Sequence, residues 1–218
     1  MIISNIYLSF IMCLNTSEVF NILQNISIVI ASIVAIYGIN SWRREAKWKR
    51  KFELAEETLS LFYEVRDRLD YIRNPFSNPE EGKTRKRNEN ESAEDAKIFD
   101  MAYVVYERYE YDKSSFLKLK TIKYRFVAVF GIKYIEPFND VNKIVNSIFS
   151  AAQILARNYW RNQGTIPMTK EQSKIHLEAL KKYESIFWSD FSDKDEIKIQ
   201  MNEAIEKMEK ICSKILKK

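Results

Sequence analysis

The residues best suited to catalysis or metal binding are four acids and one histidine. Asp95, Asp100, Glu107 and Glu110 lie close together in the chain, and carboxylate oxygens are the ligands that divalent cations prefer. Because acids on a highly charged helix usually face solvent, we interpret these four as surface residues. The single histidine, His176, has no cysteine or acid pair at metal-ligand spacing, so we expect no zinc site.

The motifs of common phosphate-binding and hydrolytic sites are missing from the sequence. Its glycines stand at positions 38, 82, 131 and 164, too far apart for a glycine-rich phosphate loop. No GxSxG nucleophile motif is present either. We therefore predict a protein that has no enzymatic activity and binds no cofactor or metal.

Two basic segments are candidates for contact with phosphate or nucleic acid. The first, residues 84–87, is followed at once by an acidic stretch, which favours a solvated loop. The second interleaves cations with aromatic rings, the combination that binds single strands; it comprises Lys118, Lys120, Lys123 and Arg125 with Phe116, Tyr124 and Phe126. Helical spacing explains this pattern equally, with core on one face and solvent on the other, and we prefer that explanation.

Composition predicts that long helices position these residues. The chain has 218 residues, of which 46% are hydrophobic, and only four are glycine and four proline. Such a composition favours an all-α fold. Residues 43–51, RREAKWKRK, hold six cations and one acid, so their net charge of 6 − 1 = +5 equals that of the whole chain. The basicity therefore belongs to one short segment.

This basic segment follows an uncharged stretch from Val19 to Trp42. At about 1.5 Å per residue, such a helix spans a hydrocarbon core of about 30 Å. We predict a short apolar segment at 1–17, a transmembrane helix at 18–42 and a cytoplasmic domain at 43–218, because cations beside a span are retained inside the cell. The alternative is a buried core helix. The expected membrane collar comprises Trp42, Arg43, Arg44, Lys47, Lys49, Arg50 and Lys51.

Residues 1–14 are apolar but too short to cross a bilayer. They lack a cationic region and a small-residue cleavage site, so we do not expect a cleaved signal peptide. Two alternatives remain: the segment lies in the outer interface, or Met12 is the true start. Cys13 and Cys212 would lie on opposite sides of the membrane, so we expect no disulfide between them.

One face of the predicted span carries small or amide side chains at intervals of three and four. Such a stripe permits close approach of two helices, and a glutamine can hydrogen-bond across the pair. The alternative is that small residues are simply tolerated in the span. The stripe comprises Gln24, Ser27, Ala31, Ala35 and Gly38.

Asn15 followed by Glu18 has the spacing of a helix cap, so the membrane helix is predicted to begin near Ser17. Apolar periodicity predicts that it continues to about Arg73, where Asn74-Pro75 ends it. A flexible loop is expected at 74–92, because it holds two prolines, a glycine and dense charge. Further helices are predicted at 93–131 and 137–163, from Thr169 to about Trp188, and from Ser192 to the C-terminus. Ser92, Thr169 and Ser192 have the spacing of N-terminal caps for three of them, with Asp95, Gln172 and Asp195 three residues later. Each has one apolar face, so an antiparallel bundle is expected.

Two arginines interrupt the apolar pattern of the first helix. Arg66 lies on its apolar seam and Arg73 lies seven residues later on the same face. We expect both to enter the bundle and to pair with acids such as Glu107 or Glu110, since a buried charge needs a partner. A buried ion pair that fixes helix register is preferred here over a ligand site.

Several short motifs resemble those of a group of uncharacterised bacterial membrane-anchored proteins. They are Trp42-Arg43-Arg44-Glu45, Glu53-Leu54-Ala55, Tyr63-x-Val65-Arg66-Asp67 with Arg73-x-Pro75-Phe76, and Tyr106-Glu107-Arg108. The similarity covers roughly residues 36–131. It implies a single-pass protein of the bacterial inner membrane with its N-terminus outside, and it implies no activity.

Three functions agree with these patterns. The first hypothesis is a membrane-anchored helical interaction protein, a scaffold or sensor subunit whose partners are the lipid bilayer and another protein or a second copy of itself. The runner-up is an oligomerising membrane effector of a toxin or phage-defence system, because the small-residue stripe favours self-association. The third is a membrane protein that responds to nucleic acid or nucleotide.

Overall fold

The computed structural model describes residues 16–162 and 167–217. Within these ranges the regular structure is entirely helical, with six α-helices, one 3-10 turn and one π-helical turn. The predicted all-α class is therefore confirmed. The chain forms two compact units, residues 1–50 and 51–218.

The first helix, α1, extends over Thr16–Ile72 without interruption. It confirms the prediction that the apolar segment continues as a helix to about residue 73. The predicted cap at Asn15 and the segment 1–14 lie outside the described residues. Asn74-Pro75 follows the helix, and the Asn74 side chain accepts a hydrogen bond from the backbone N–H of Phe76 at 2.9 Å, so the chain turns sharply at this point.

In the described residues, the second unit contains the end of α1 and, after it, five further α-helices and two helical turns. These are α2 (Ala93–Tyr111), α3 (Ser114–Phe130), a 3-10 turn (Ile132–Tyr134), α4 (Glu136–Ile154), a π-helical turn (Leu155–Trp160), α5 (Lys170–Phe187) and α6 (Glu196–Leu216). Helix α4 is the central element, since it contacts α2, α3, α5 and α6.

Two predicted helices are divided in the structure. The helix expected at 93–131 breaks at Asp112 and Lys113. The Asp112 carboxylate pairs with Arg68 of α1 at 2.7 Å, a tertiary contact that periodicity does not report. The helix expected at 137–163 becomes π-helical at Leu155, and its predicted end at Gln163 and Gly164 lies outside the described residues.

Two of the three predicted N-terminal caps of the later helices are confirmed. Ser92 accepts the Asp95 N–H, and Thr169 forms a reciprocal capping box with Gln172. The prediction of Ser192 as the cap of the last helix is wrong. Asp195 caps α6 instead, because its carboxylate accepts the N–H groups of Ile197 and Lys198.

All six described α-helices contribute buried side chains to the core of the second unit. Phe62 of α1 packs edge-on against Phe138 of α4, with ring centroids 5.3 Å apart, and Phe126 of α3 contacts the same ring at 5.6 Å. The expected apolar seam of α1 is buried at Ala55, Phe62 and Leu69, and it is widened by neighbours such as Val65. The apolar face of α4 is buried at Val141, Ile144, Ile148 and Ala152.

Candidate functional site

The apolar part of α1 is entirely exposed. None of its most apolar 18-residue window is buried, and the helix that contains it is long and apolar enough to cross a membrane by length and composition. Phe20, Val34 and Tyr37 are each more than 60% exposed. A soluble protein rarely leaves so large a continuous apolar surface uncovered.

The predicted collar residues lie on the exposed surface directly after this apolar segment. Trp42 is 67% exposed, and Arg43, Arg44, Lys47, Lys49, Arg50 and Lys51 are exposed as well. Tyr37 and Asn40 join Arg43, Arg44 and Lys47 around a shallow open cleft. Aromatic and cationic side chains therefore share one end of the apolar helix.

The five stripe residues are also exposed along α1. The Ser27 hydroxyl donates to the Leu23 carbonyl of its own helix at 2.8 Å, which occupies its donor. A Cβ added to Gly38 would meet no heavy atom within 4 Å. The Gln24 amide is exposed and makes no hydrogen bond within the described part of the chain.

Arg73 is the most deeply buried charged residue of the described chain. Its side chain is 1% exposed and its Nη1 pairs with Asp195 Oδ1 at 2.9 Å. The guanidinium also donates to the carbonyls of Ser185, Ile186 and Trp188 at 2.7 to 3.0 Å. Arg73 thus joins the end of α1 to the C-terminus of α5 and the N-cap of α6.

The Asp195 carboxylate is held ionised by this arrangement. Burial alone would raise its pKa, but the hydrogen bond and charge of Arg73, together with the Lys198 N–H, lower the pKa below its ordinary value. Its other oxygen, Oδ2, is buried without a partner in the described residues. The pair is therefore buried, charged and incompletely satisfied, which makes it sensitive to loss of either member.

The remaining predicted ion-pair residues differ from expectation. Arg66 contacts the adjacent Asp67 on the surface at 3.0 Å, so its predicted burial is wrong. Glu107 accepts the backbone N–H of Gly82, and Glu110 pairs with Lys113 in the same exposed stretch at 2.6 Å. Neither acid is the partner of Arg73, which pairs with Asp195.

The loop at 74–92 is anchored at its start by Arg108, which was not among the predicted site residues. Its guanidinium is buried and donates to the carbonyls of Asn74 at 2.6 Å and Phe76 at 2.9 Å. It also pairs with Glu81 at 2.7 Å, and this hydrogen bond lowers the pKa of the Glu81 carboxyl. The expectation of a flexible loop is therefore wrong for this part.

The basic segment 84–87 is likewise held against α2. Arg85 pairs with Glu91 at 2.8 Å and with Asp100 at 3.2 Å, and Arg87 pairs with the same Asp100. Gly82 has a φ of +85°, and a Cβ there would lie 1.9 Å from the Asp100 carbonyl oxygen. Residues 84–87 were predicted to form a solvated loop, but they are ion-paired and form a cover over α2.

This cover, together with α2, α4 and the π-helical turn, lines a partly open cavity of about 330 Å³. One wall is aromatic and comprises Phe99, Tyr103 and Tyr106. Three small residues, Ala102, Ala152 and Ala156, also line the cavity. Cavities of this size with mainly apolar walls and a few polar groups are the usual form of small-molecule sites.

Tyr106 of the aromatic wall is held by contacts of both its ring and its hydroxyl. Tyr106 stacks on Phe149 with centroids 4.7 Å apart and on Tyr103 at 5.6 Å. Its hydroxyl donates to the Phe149 carbonyl at 2.9 Å and accepts a hydrogen bond from Gln153. Burial raises the pKa of this hydroxyl, so it remains a donor at neutral pH.

The polar lining of the cavity includes one unpaired cation and one unpaired acceptor. Arg157, on the exposed side of the π-helical turn, makes no ion pair among the described residues. Glu91 is 6% exposed at its side chain, and its Oε1 is buried without a hydrogen-bond partner in the described chain. π-Helical turns occur frequently at functional sites.

The second basic segment is only partly used by the fold. Arg125 faces Glu57 at 3.4 Å, and Lys123 donates to Asn139 at 2.9 Å. Lys120 and Lys123 line a second cavity of about 290 Å³ beside Tyr124. Phe116 and Phe126 are buried, in agreement with the interpretation that one face is core.

The four candidate metal-binding acids are each engaged separately. Asp95 pairs with Arg161 at 2.8 Å, and Asp100 pairs with Arg85 and Arg87. Glu107 accepts the Gly82 N–H, and Glu110 pairs with Lys113. No group of three or more potential ligands occurs among the described residues. The rings of His176 and Tyr159 are in contact, with their centroids 4.9 Å apart.

No protein family, curated protein or solved structure matches this chain. Function must therefore be inferred from the residues and their geometry alone.

Proposed function

We propose that the protein is a single-pass membrane protein that holds a helical interaction domain at the inner face of a bacterial inner membrane. The observation that carries this proposal is the complete exposure of the apolar window in α1. In water, exposure of so much apolar area costs roughly 25 cal/mol per Å². A bilayer removes that cost, and a helix satisfies its own backbone hydrogen bonds there.

The collar supports the proposed orientation. Its cations follow the apolar segment directly, and no residue from Val19 to Trp42 is charged. Such cations are retained on the cytoplasmic side, and Trp42 is suited to the interface between lipid and water. The second unit would then be an antiparallel helical bundle in the cytoplasm, which agrees with the resemblance to membrane-anchored bacterial proteins.

Membrane fractionation combined with C-terminal reporters tests this function. The full chain is expected in the membrane pellet after an alkaline carbonate wash. A fused fluorescent protein that matures only inside the cell is expected to be bright, and fused alkaline phosphatase, active only outside, is expected to be inactive. Recovery of the chain in the soluble fraction, or an active phosphatase, would contradict the proposal.

A matched pair of variants separates collar position from net charge. Arg43→Gln, Arg44→Gln and Lys47→Gln together remove three collar cations, and we expect part of the population to invert its orientation. The control removes three exposed cations of α5 by Lys174→Gln, Lys181→Gln and Lys182→Gln. Equal reporter signals in the two triple variants would show that the collar does not set the orientation.

A second candidate function, an effector that acts by self-association in the membrane, is favoured by Gln24. An amide with no partner in lipid is stabilised when a second helix supplies one, by about 0.6–2 kcal/mol. Ala31→Leu, on the stripe, is expected to weaken association of the full chain in vesicles by roughly 3- to 30-fold. Ser32→Leu, off the stripe, is the control, and equal energy transfer between labelled copies of both variants would refute this candidate.

A further inference from the structure

The cavity beneath the loop 74–92 has the composition of a site for a small aromatic anion. Tyr103 and Tyr106 line the cavity as a stacked pair of rings, and the small side chains of Ala152 and Ala156 line it beside them. Aromatic side chains of this kind hold heterocyclic rings by stacking, with about 1–3 kcal/mol per base. The size of about 330 Å³ suits one such ring with its substituent.

The charges around the cavity favour an anion with a single phosphate group. Arg85 also lines the cavity, but Glu91 and Asp100 already neutralise it. Arg161 is engaged by Asp95. Among the described residues that line the cavity, Arg157 alone offers a guanidinium without an acidic partner, and guanidinium groups bind phosphate bidentately.

The unsatisfied oxygen of Glu91 distinguishes a nucleobase from a simple aromatic acid. A buried carboxylate oxygen without a donor is costly. Glu91 lines the cavity, so a donor that enters the cavity can approach its carboxylate. Nucleobases carry such N–H donors, whereas benzoate-like acids have none.

We propose that this cavity binds a nucleoside monophosphate, with its base against Tyr103 and Tyr106, its phosphate on Arg157 and an N–H group toward Glu91. Binding would join the loop 74–92 to the π-helical turn. The membrane-anchored domain would in this way act as a sensor of the ligand. The binding site lies wholly within the second unit, and it does not depend on whether α1 spans a membrane.

Equilibrium dialysis of the full chain in detergent micelles tests the proposal. The probes are the four common ribonucleoside monophosphates, their parent nucleosides, and benzoate. At least one monophosphate is expected to bind more tightly than its nucleoside, and benzoate is expected not to compete. Absence of binding by every monophosphate at millimolar concentration, with helical circular dichroism intact, would overturn the proposal, as would binding of benzoate alone.

Substitutions then assign the phosphate and the base to opposite walls. Arg157→Gln changes an exposed side chain and is expected to weaken monophosphate binding by roughly 10-fold or more while nucleoside binding stays unchanged. Tyr103→Leu is expected to weaken both ligands together. Lys181→Gln, an exposed cation on α5 away from the cavity, is the control. An equal loss of nucleotide and nucleoside in Arg157→Gln would refute the assigned phosphate contact.

Discussion

Replacement of Arg73 by methionine is expected to destabilise the second unit more than replacement of any surface arginine. The variant removes four hydrogen bonds from a side chain that is 1% exposed. It leaves the Asp195 carboxylate buried, charged and without its cation. Removing one member of a buried pair costs about 3–5 kcal/mol, which corresponds to a fall in the unfolding midpoint of roughly 6–20 °C in a chain of this length.

Arg66→Met is the matched control for this experiment. Arg66 lies seven residues earlier on α1, and its pair with Asp67 is exposed, with side chains 38% and 67% accessible. Exposed pairs contribute about 0–1 kcal/mol, so its midpoint should change by only a few degrees. Thermal unfolding of the full chain in detergent, followed by circular dichroism, measures both variants.

A double variant tests the electrostatic part of the reasoning. Arg73→Met with Asp195→Asn leaves no unpaired buried charge, so it should cost less than the sum of the two single variants. Equal midpoints for Arg73→Met and Arg66→Met would refute the argument that burial decides the contribution of the pair. Strict additivity in the double variant would show that Asp195 is not the residue that Arg73 neutralises.

Three further predictions concern single positions of the second unit. Because the pKa of Asp195 is lowered from 3.8, its contribution to stability is present above about pH 4 and should disappear as the pH falls through the lowered value. This loss of stability at low pH, measured from thermal midpoints, should be absent in Arg73→Met. Gly82→Ala should destabilise the domain by at least about 2 kcal/mol, more than Gly131→Ala. Both glycines have positive φ, but only at Gly82 does the added Cβ meet backbone. Equal unfolding midpoints for the two variants would show that the Asp100 carbonyl moves aside at little cost. In a Cys13→Ser background, Cys212 should resist maleimide at pH 7 until the protein unfolds, since burial raises its thiol pKa to about 11 and its side chain is inaccessible; rapid labelling of the folded protein, detected by mass spectrometry, would contradict this.

Local chemistry made several features predictable from the sequence. The all-α class follows from the scarcity of glycine and proline, and the exposed apolar segment follows from its length and lack of charge. The caps at Ser92 and Thr169 involve residues only three positions apart. Each of these features depends on neighbours in the chain, so a pattern of residue types is sufficient to identify it.

Tertiary structure alone decided which charges meet and where a cavity forms. Periodicity places Arg73 on an apolar face, but its partner Asp195 lies 122 positions away, and a sequence pattern cannot choose among distant acids. The anchoring of the loop by Arg108 and the unpaired state of Arg157 depend on the same packing. The physical reason is that helical spacing specifies which side of a helix is buried, whereas the neighbour on that side is specified by how all the helices pack together.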